Sequence, residues 1–157
     1  MKEFWNNYYK WLNAEALTDA EKAELRAFEG NEDEVALRFS SSLSFGTAGL
    51  RGTMKVGLNA MNVHTVAHAT QGLANLIVRE GRAADGVAIA CDSRLNSQTF
   101  AETAASVLAA NGIKVYLFDS LRPTPELSFA LRELGCVAGI NITASHNPKE
   151  YNGYKAS

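Results

Sequence analysis

The chain has 157 residues, enough for one domain of ordinary size; 46% of them are hydrophobic and 20% are charged. The formal net charge is -2, so there is no overall positive field, which argues against nucleic acid as the main partner. No stretch approaches the roughly 20 apolar residues that cross a bilayer, and the N-terminus lacks the apolar core of a signal peptide. The two cysteines, Cys91 and Cys136, show no framework spacing. These features predict a cytoplasmic protein with no membrane partner.

Residues 1–42 are predicted to form a helical leader. Its first segment repeats aromatic and apolar residues at helical spacing, which favours a helix that packs this stripe on the rest of the protein. Thr18 and Glu21 have the spacing of a capping box, so a second helix is expected to begin there. A third short helix is expected at 32–39. The residues of the stripe are Phe4, Trp5, Tyr8, Trp11 and Leu12.

Residues 43–157 predict a layered α/β domain. Four glycines between 46 and 57 indicate loop and extended chain, and helices and strands then alternate. This alternation predicts a mostly parallel (mixed) sheet flanked by helices. The predicted elements are a helix at 62–80, a strand at 86–91, a helix at 97–112, a strand at 114–118, a helix at 124–135 and a strand at 136–142.

Ligands of such sheets bind at the carboxyl ends of the strands, where the loops at 91–98, 119–126 and 143–155 are candidates. In the last loop, "TASHNPKEYNGYK", the Ser145 hydroxyl could be a nucleophile or a phosphate carrier. His146 can donate to an oxyanion or move a proton near neutral pH. Lysines add positive charge that suits phosphate oxygens. An exposed polar turn is the alternative, but so many donors at the end of a buried strand favour a site.

A second candidate is "SFGTAGLRGTMKVG" at 44–57. Its glycines let the backbone approach an anion closely, with Thr47 and the Arg51 guanidinium available to bind it. The segment is neither a Walker loop nor a dinucleotide-binding loop, because both fingerprints are absent. A plain glycine-rich turn stays an equally open interpretation.

Two motifs together resemble the α-D-phosphohexomutase superfamily, the phosphoglucomutases and phosphomannomutases. They are "FGTAGLRG" at 45–52 and "TASHNPKEYNGYK" at 143–155, in this order and about a hundred residues apart. "PTPELSFALR" is similar to the family's Pro-Thr-Pro segment, and "CDSR" to its Tyr-Asp-Ser-Arg segment, with Cys91 in place of Tyr. The helical leader is closest in style to the phosphoglucomutase/phosphopentomutase branch.

The resemblance implies a phosphoserine domain that helps to interconvert hexose 1-phosphate and hexose 6-phosphate. Ser145 would carry the transferable phosphoryl group, with His146 beside it and Lys155 in acid/base work. A hexose 1,6-bisphosphate would be both intermediate and activator. The other three predicted site residues would bind substrate or phosphate: Arg51, Thr47 and Asn147.

The resemblance also implies Mg²⁺, to which Ser145 would contribute through its phosphate. The family's Asp-x-Asp-x-Asp-Arg loop, in its second of four domains, is absent here. The expectation is therefore a C-terminally incomplete domain I, inactive alone and prone to self-associate. Its partners would be a hexose phosphate and the missing C-terminal domains.

Two other functions stay open, and so does the identity of the substrate sugar. A non-catalytic module that binds phosphosugars or anions is the main alternative. A serine hydrolase is disfavoured, because no G-x-S-x-G elbow surrounds Ser145. Glucose, mannose and pentose phosphates all remain candidate substrates.

Overall fold

The computed structural model describes residues 2–42, 50–91, 95–118, 135–143 and 151–156. They form an α/β fold, as predicted; the predicted helix at 124–135 lies outside the described residues, apart from its last residue. The helices are α1 Glu3–Leu12, α2 Asp19–Ala27, α3 Glu32–Phe39, α4 Val63–Arg79 and α5 Leu95–Ala110. The strands are β1 Leu50–Thr53, β2 Val87–Cys91, β3 Val115–Phe118, β4 Ala138–Thr143 and β5 Tyr151–Ala156.

The three leader helices share a small core of their own. The apolar stripe of α1 packs there, and the Tyr8 hydroxyl donates a hydrogen bond of 2.7 Å to the Leu25 carbonyl. The capping box of Thr18 and Glu21 is present at the start of α2, as predicted. Val56 also belongs to this core, so the leader packs on the segment that follows β1.

Helix α4 begins at a cap that also fixes the chain before it. The Asn62 side chain accepts hydrogen bonds from the backbone N–H groups of His64 and Thr65, each at 3.0 Å. Its amide donates to the carbonyls of Lys55 and Gly57, each at 2.9 Å. One side chain therefore joins the helix start to residues 55–57.

The five strands form one mixed sheet in the order β1-β5-β4-β2-β3. Strands β3, β2 and β4 are parallel neighbours, whereas β5 runs antiparallel to both β4 and β1. The main core lies between one face of the sheet and helices α4 and α5. It takes alternate residues of the central strands, as period-2 geometry requires: Val87, Ile89 and Cys91 of β2, and Ile140 and Ile142 of β4.

The structure corrects the prediction for two segments. Residues 151–155 were predicted as part of a loop, but they belong to β5, which lies between β1 and β4. Its sequence, "YNGYKA", contains the turn-type pair Asn152-Gly153, and the ladders on both sides override that local preference. Helix α5 begins at Leu95, two residues before the predicted start, so the second half of the candidate loop at 91–98 is helical.

Candidate functional site

The two recognised motifs meet in the sheet. Arg51 of β1 pairs with Gly153 of β5, and Gly153 pairs on its other side with Thr143 of β4. These three residues form one row across three strands, and β4 ends at that row. Ser145 follows two residues later, in the 144–150 connection between β4 and β5. The row therefore borders the connection that contains the predicted phosphate carrier.

Lys155 lies in β5, two residues beyond the row. It pairs with Asn141 of β4, two positions along the strand from Gly153. Opposed residues of neighbouring strands, and alternate residues within a strand, occupy the same face of a sheet. Arg51 and Lys155 therefore share a face and are diagonal neighbours, a relation that places Cα atoms about 7–8 Å apart in antiparallel sheets.

The other face of β4 is part of the core. Ile140 and Ile142 alternate with the residues of the shared face, and both are fully buried in the cluster made with α4 and α5. The register thus separates an apolar face, which packs against α4 and α5, from the face on which the positions of Arg51 and Lys155 lie.

The described residues include only part of the predicted site. Arg51 and Lys155 lie in strands that are neighbours of one another. Thr47, Ser145, His146 and Asn147 lie outside the described residues. That Arg51, His146 and Lys155 converge on Ser145 therefore stays a prediction; the observed part is the pairing of the strands that contain or precede them.

Sequence reasoning missed a charged network that contacts the backbone of Val56, in the segment after β1. The Arg38 side chain is 11% exposed and bonds to Glu34 Oε1 at 2.8 Å and to Glu24 Oε2 at 2.6 Å. Hydrogen bonding to Arg38 lowers the pKa of the Glu34 carboxyl. The spacing of Glu34 and Arg38 along one helix could have predicted that pair. Nothing local predicts Glu24, because it lies on another helix.

A cavity of about 320 Å³ lies between α1 and the start of α4. Its walls include Trp11, Leu17, Leu58 and His64, and every lining residue lies in 7–17 or 58–64. The His64 ring approaches the Trp11 ring edge-on, and His64 Nε2 lies 2.9 Å from a Glu21 carboxylate oxygen. This cavity belongs to the leader and is separate from the row of paired motif residues.

The part of the chain that the structure describes contains no group of three or more His, Cys, Asp and Glu side chains that could bind a metal ion. The one predicted Mg²⁺ contact, through a phosphate on Ser145, lies outside that part. No helix in the described ranges is long and apolar enough to cross a membrane.

Comparison with known proteins supports the resemblance to phosphoglucomutases and phosphomannomutases. The family model for phosphoglucomutase/phosphomannomutase, α/β/α domain I, matches residues 42–157. Phosphoglucomutase of Staphylococcus saprophyticus is 48% identical over 79% of the chain, and phosphopentomutase of Pongo abelii is 42% identical over 81%. The chain spans 22% of the length of each of these relatives.

The fold agrees with that match. A crystal structure of a Thermus thermophilus protein assigned as a phosphomannomutase superposes with a TM-score of 0.64 and 31% sequence identity. The superposition covers 74% of this chain and 26% of that one. The chain belongs to the phosphoglucomutase/phosphomannomutase family, and it contains that family's α/β/α domain I.

Proposed function

We propose that this chain is the phosphoserine-carrying domain of a phosphosugar mutase that interconverts hexose 1-phosphate and 6-phosphate. The observation that carries the proposal is the row of Arg51, Gly153 and Thr143. This row joins the two family motifs at the carboxyl end of β4, and Ser145 follows two residues later. Within this proposal, residues 1–42 are a helical leader and residues 43–157 are the phosphoserine domain.

The proposed site meets the electrostatic needs of a phosphoserine. A phosphoserine carries about -1.5 to -2 charges at pH 7, so cationic neighbours are required. An arginine guanidinium matches phosphate oxygens with paired donors, and a lysine adds a mobile point charge. Arg51 and Lys155, diagonal neighbours on one face, are assigned to this role together with His146, and Thr47 and Asn147 would donate further hydrogen bonds.

The proposed step transfers one phosphoryl group. The Ser145 Oγ attacks a phosphorus of hexose 1,6-bisphosphate, an Oγ–P bond forms and the bond from phosphorus to the sugar oxygen breaks. The serine proton leaves to a base, and the sugar oxygen gains a proton as the monophosphate is released. Lys155 and His146 are the assigned proton carriers. Catalysis of this kind depends on positioning and charge neutralisation.

The proposed reaction also uses a metal ion, a substrate and protein groups outside residues 1–157. Mg²⁺, held by the phosphate on Ser145 and by ligands in further domains, would neutralise charge on the transferring oxygens. The partners would be the hexose phosphate and those further domains. Because the relatives include phosphoglucomutases and a phosphopentomutase, a pentose phosphate is the alternative substrate.

The test is direct phosphorylation of the 157-residue chain. The phosphatase-treated protein is incubated with glucose 1,6-bisphosphate and Mg²⁺, and the modified residue is found by peptide mass spectrometry. The wild type and the control Ser106→Ala, at an exposed serine of α5, should gain one phosphoryl group at Ser145. Ser145→Ala should gain none.

Two results would contradict the proposal. Equal phosphorylation of Ser145→Ala would mean that another residue carries the group. If hexose phosphate binds and no variant becomes phosphorylated, the non-catalytic anion-binding module is the better description.

A further inference from the structure

The leader and the segment after β1 are joined by Arg38, in the last turn of α3. Its guanidinium donates from Nε to Glu34 and from Nη1 to Glu24, and from Nη1 also to the Val56 carbonyl at 3.0 Å. The Phe28 ring lies 4.3 Å from the guanidinium carbon. The Arg38 side chain is 11% exposed, whereas its partner Glu24 is 42% exposed, so water competes mainly for the bond to Glu24.

Glu24 completes a two-sided clamp on Val56. The carboxylate oxygen Oε2 that accepts from Arg38 also accepts from the Val56 backbone N–H, at 2.9 Å. Helices α2 and α3 therefore bind both the N–H and the carbonyl of one residue. The backbone of Asn59 adds a third attachment, because its N–H donates to the Arg38 carbonyl at 3.0 Å.

The chain at 55–57 fits tightly against this clamp. Gly57 has a φ of +147°, and a Cβ placed there would lie 2.9 Å from the Arg38 Cβ and 3.1 Å from the Arg38 carbonyl oxygen. From the start of α4, Asn62 donates to the carbonyls of Lys55 and Gly57. Both the leader and the start of α4 therefore bind this segment.

Strand β1 needs such an anchor because it is an edge strand of the described sheet. Its one neighbour in the described sheet is β5. Val56 follows the last residue of β1, Thr53, by three positions. A shift of Val56 would therefore be passed to β1 over a very short length of backbone.

We propose that Arg38 is a positioning residue for the phosphate site. Together with Glu24, it fixes the segment after β1 and so sets the place of Arg51 in its row with Gly153. This inference rests on the proposed function for the role of Arg51 and adds the leader to the machinery that builds the site.

The test measures amide hydrogen exchange and inorganic phosphate affinity of the 157-residue chain. Arg38→Lys keeps the charge but loses the fork of donors, and Glu24→Gln keeps the shape but loses the charge. Both variants should make the amides at 50–59 exchange about tenfold faster and should weaken phosphate binding about fivefold. The amides of α4 and β2 should be unchanged.

The matched control is Lys2→Met. It removes the exposed ion pair between Lys2 and Glu32, which joins the N-terminus to α3 without touching residues 54–60. Exchange at 50–59 and phosphate affinity should both equal those of the wild type. An equal change in Lys2→Met and Arg38→Lys would overturn the inference, since any weakening of the leader would then suffice.

The two proposals can fail separately. Faster exchange throughout the chain, or wild-type exchange at 50–59 in both variants, would show that the clamp does not position β1. Faster exchange at 50–59 with unchanged phosphate affinity would overturn the link to Arg51. If the wild type and Arg51→Gln bind phosphate equally, the assignment of Arg51 to the phosphate site fails, and the exchange data still decide whether the clamp holds β1.

Discussion

Arg51 lies directly opposite Gly153, although about a hundred residues separate them along the chain. Gly153 is also opposite Thr143, so β5 is the common neighbour of the strand that carries the arginine and the strand that leads to Ser145. A displacement of β5 would therefore disturb both motifs at once. The ladder contacts of β5 with both strands therefore position the two motifs relative to one another.

Arg51→Gln should slow phosphorylation of Ser145 by glucose 1,6-bisphosphate about 10²–10³-fold, the usual effect of removing one preorganised donor to a developing charge. The measurement is the rate at which the phosphoprotein forms, followed by intact mass. Arg79→Gln, at an exposed position near the end of α4, is the control for loss of one positive charge and should react at the wild-type rate. Equal rates in the two variants would remove Arg51 from the site.

The 157-residue chain alone should show no mutase turnover. Turnover requires the bisphosphorylated sugar to reorient while it stays bound, which takes groups on several sides of it, and the chain spans only 22% of the relatives' length. A single phosphorylation of Ser145 needs no such reorientation. The measurement is a coupled assay with glucose 1-phosphate, glucose 1,6-bisphosphate and Mg²⁺. Turnover comparable to that of a full-length mutase, in a preparation free of host enzyme, would show that one domain is sufficient.

Asn62→Ala should lower the free energy of unfolding by about 2–4 kcal/mol, because it removes a helix cap and leaves two carbonyls without their donor. Asn62→Asp should also be destabilising although it keeps the cap, since it replaces the amide donor with a carboxylate oxygen that faces the carbonyls of Lys55 and Gly57. Urea unfolding measures both. Asn75→Ala, at an exposed site in α4, should change stability by less than about 0.5 kcal/mol. A cap-only role for Asn62 would make the aspartate variant as stable as the wild type.

Stability at acid pH should depend on Glu34. Its pKa in the folded chain lies below the ordinary value of 4.5, chiefly through the hydrogen bond from Arg38. The unfolded chain therefore takes up the proton first as pH falls, so this stabilisation is complete above pH 4.5 and is lost as pH falls through the folded pKa. Glu34→Gln should flatten this part of the curve of unfolding free energy against pH, whereas Glu102→Gln, at an exposed position, should leave it unchanged.

Stability at alkaline pH should depend on Tyr8. Burial raises the pKa of its hydroxyl above the ordinary value of 10.0. The unfolded chain loses this proton first, so stability is unaffected below pH 10 and falls as pH rises towards the folded pKa. Tyr8→Phe should reduce that fall, and near neutral pH it should cost about 1 kcal/mol through the lost bond to Leu25. Tyr9→Phe is the control, because that side chain is 37% exposed.

The described helices were predictable because their signals are local. Helix α3 covers the predicted 32–39, and α4 begins just after Asn62, whose side chain caps it. Strand β5 was missed, because its pairing depends on β4 and on β1, which precedes it by about a hundred residues. The clamp on Val56 was missed for the same reason, since it joins separate helices. The role of Ser145 came from the family resemblance and stays a prediction.

The position of β5 between β1 and β4 has a consequence for folding in the cell. The ribosome makes β1 about a hundred residues before β5, which takes about 5–20 s at typical synthesis rates of about 5–20 residues per second. The leader helices can fold during this interval because they contact residues close to them in sequence. Strand β1, in contrast, lacks its partner strand, and its backbone hydrogen-bonding groups stay unpaired. Such distant pairing raises the contact order, so closure of this end of the sheet is expected to be the slow step, with a newly made chain most exposed to aggregation just before Gly153 emerges.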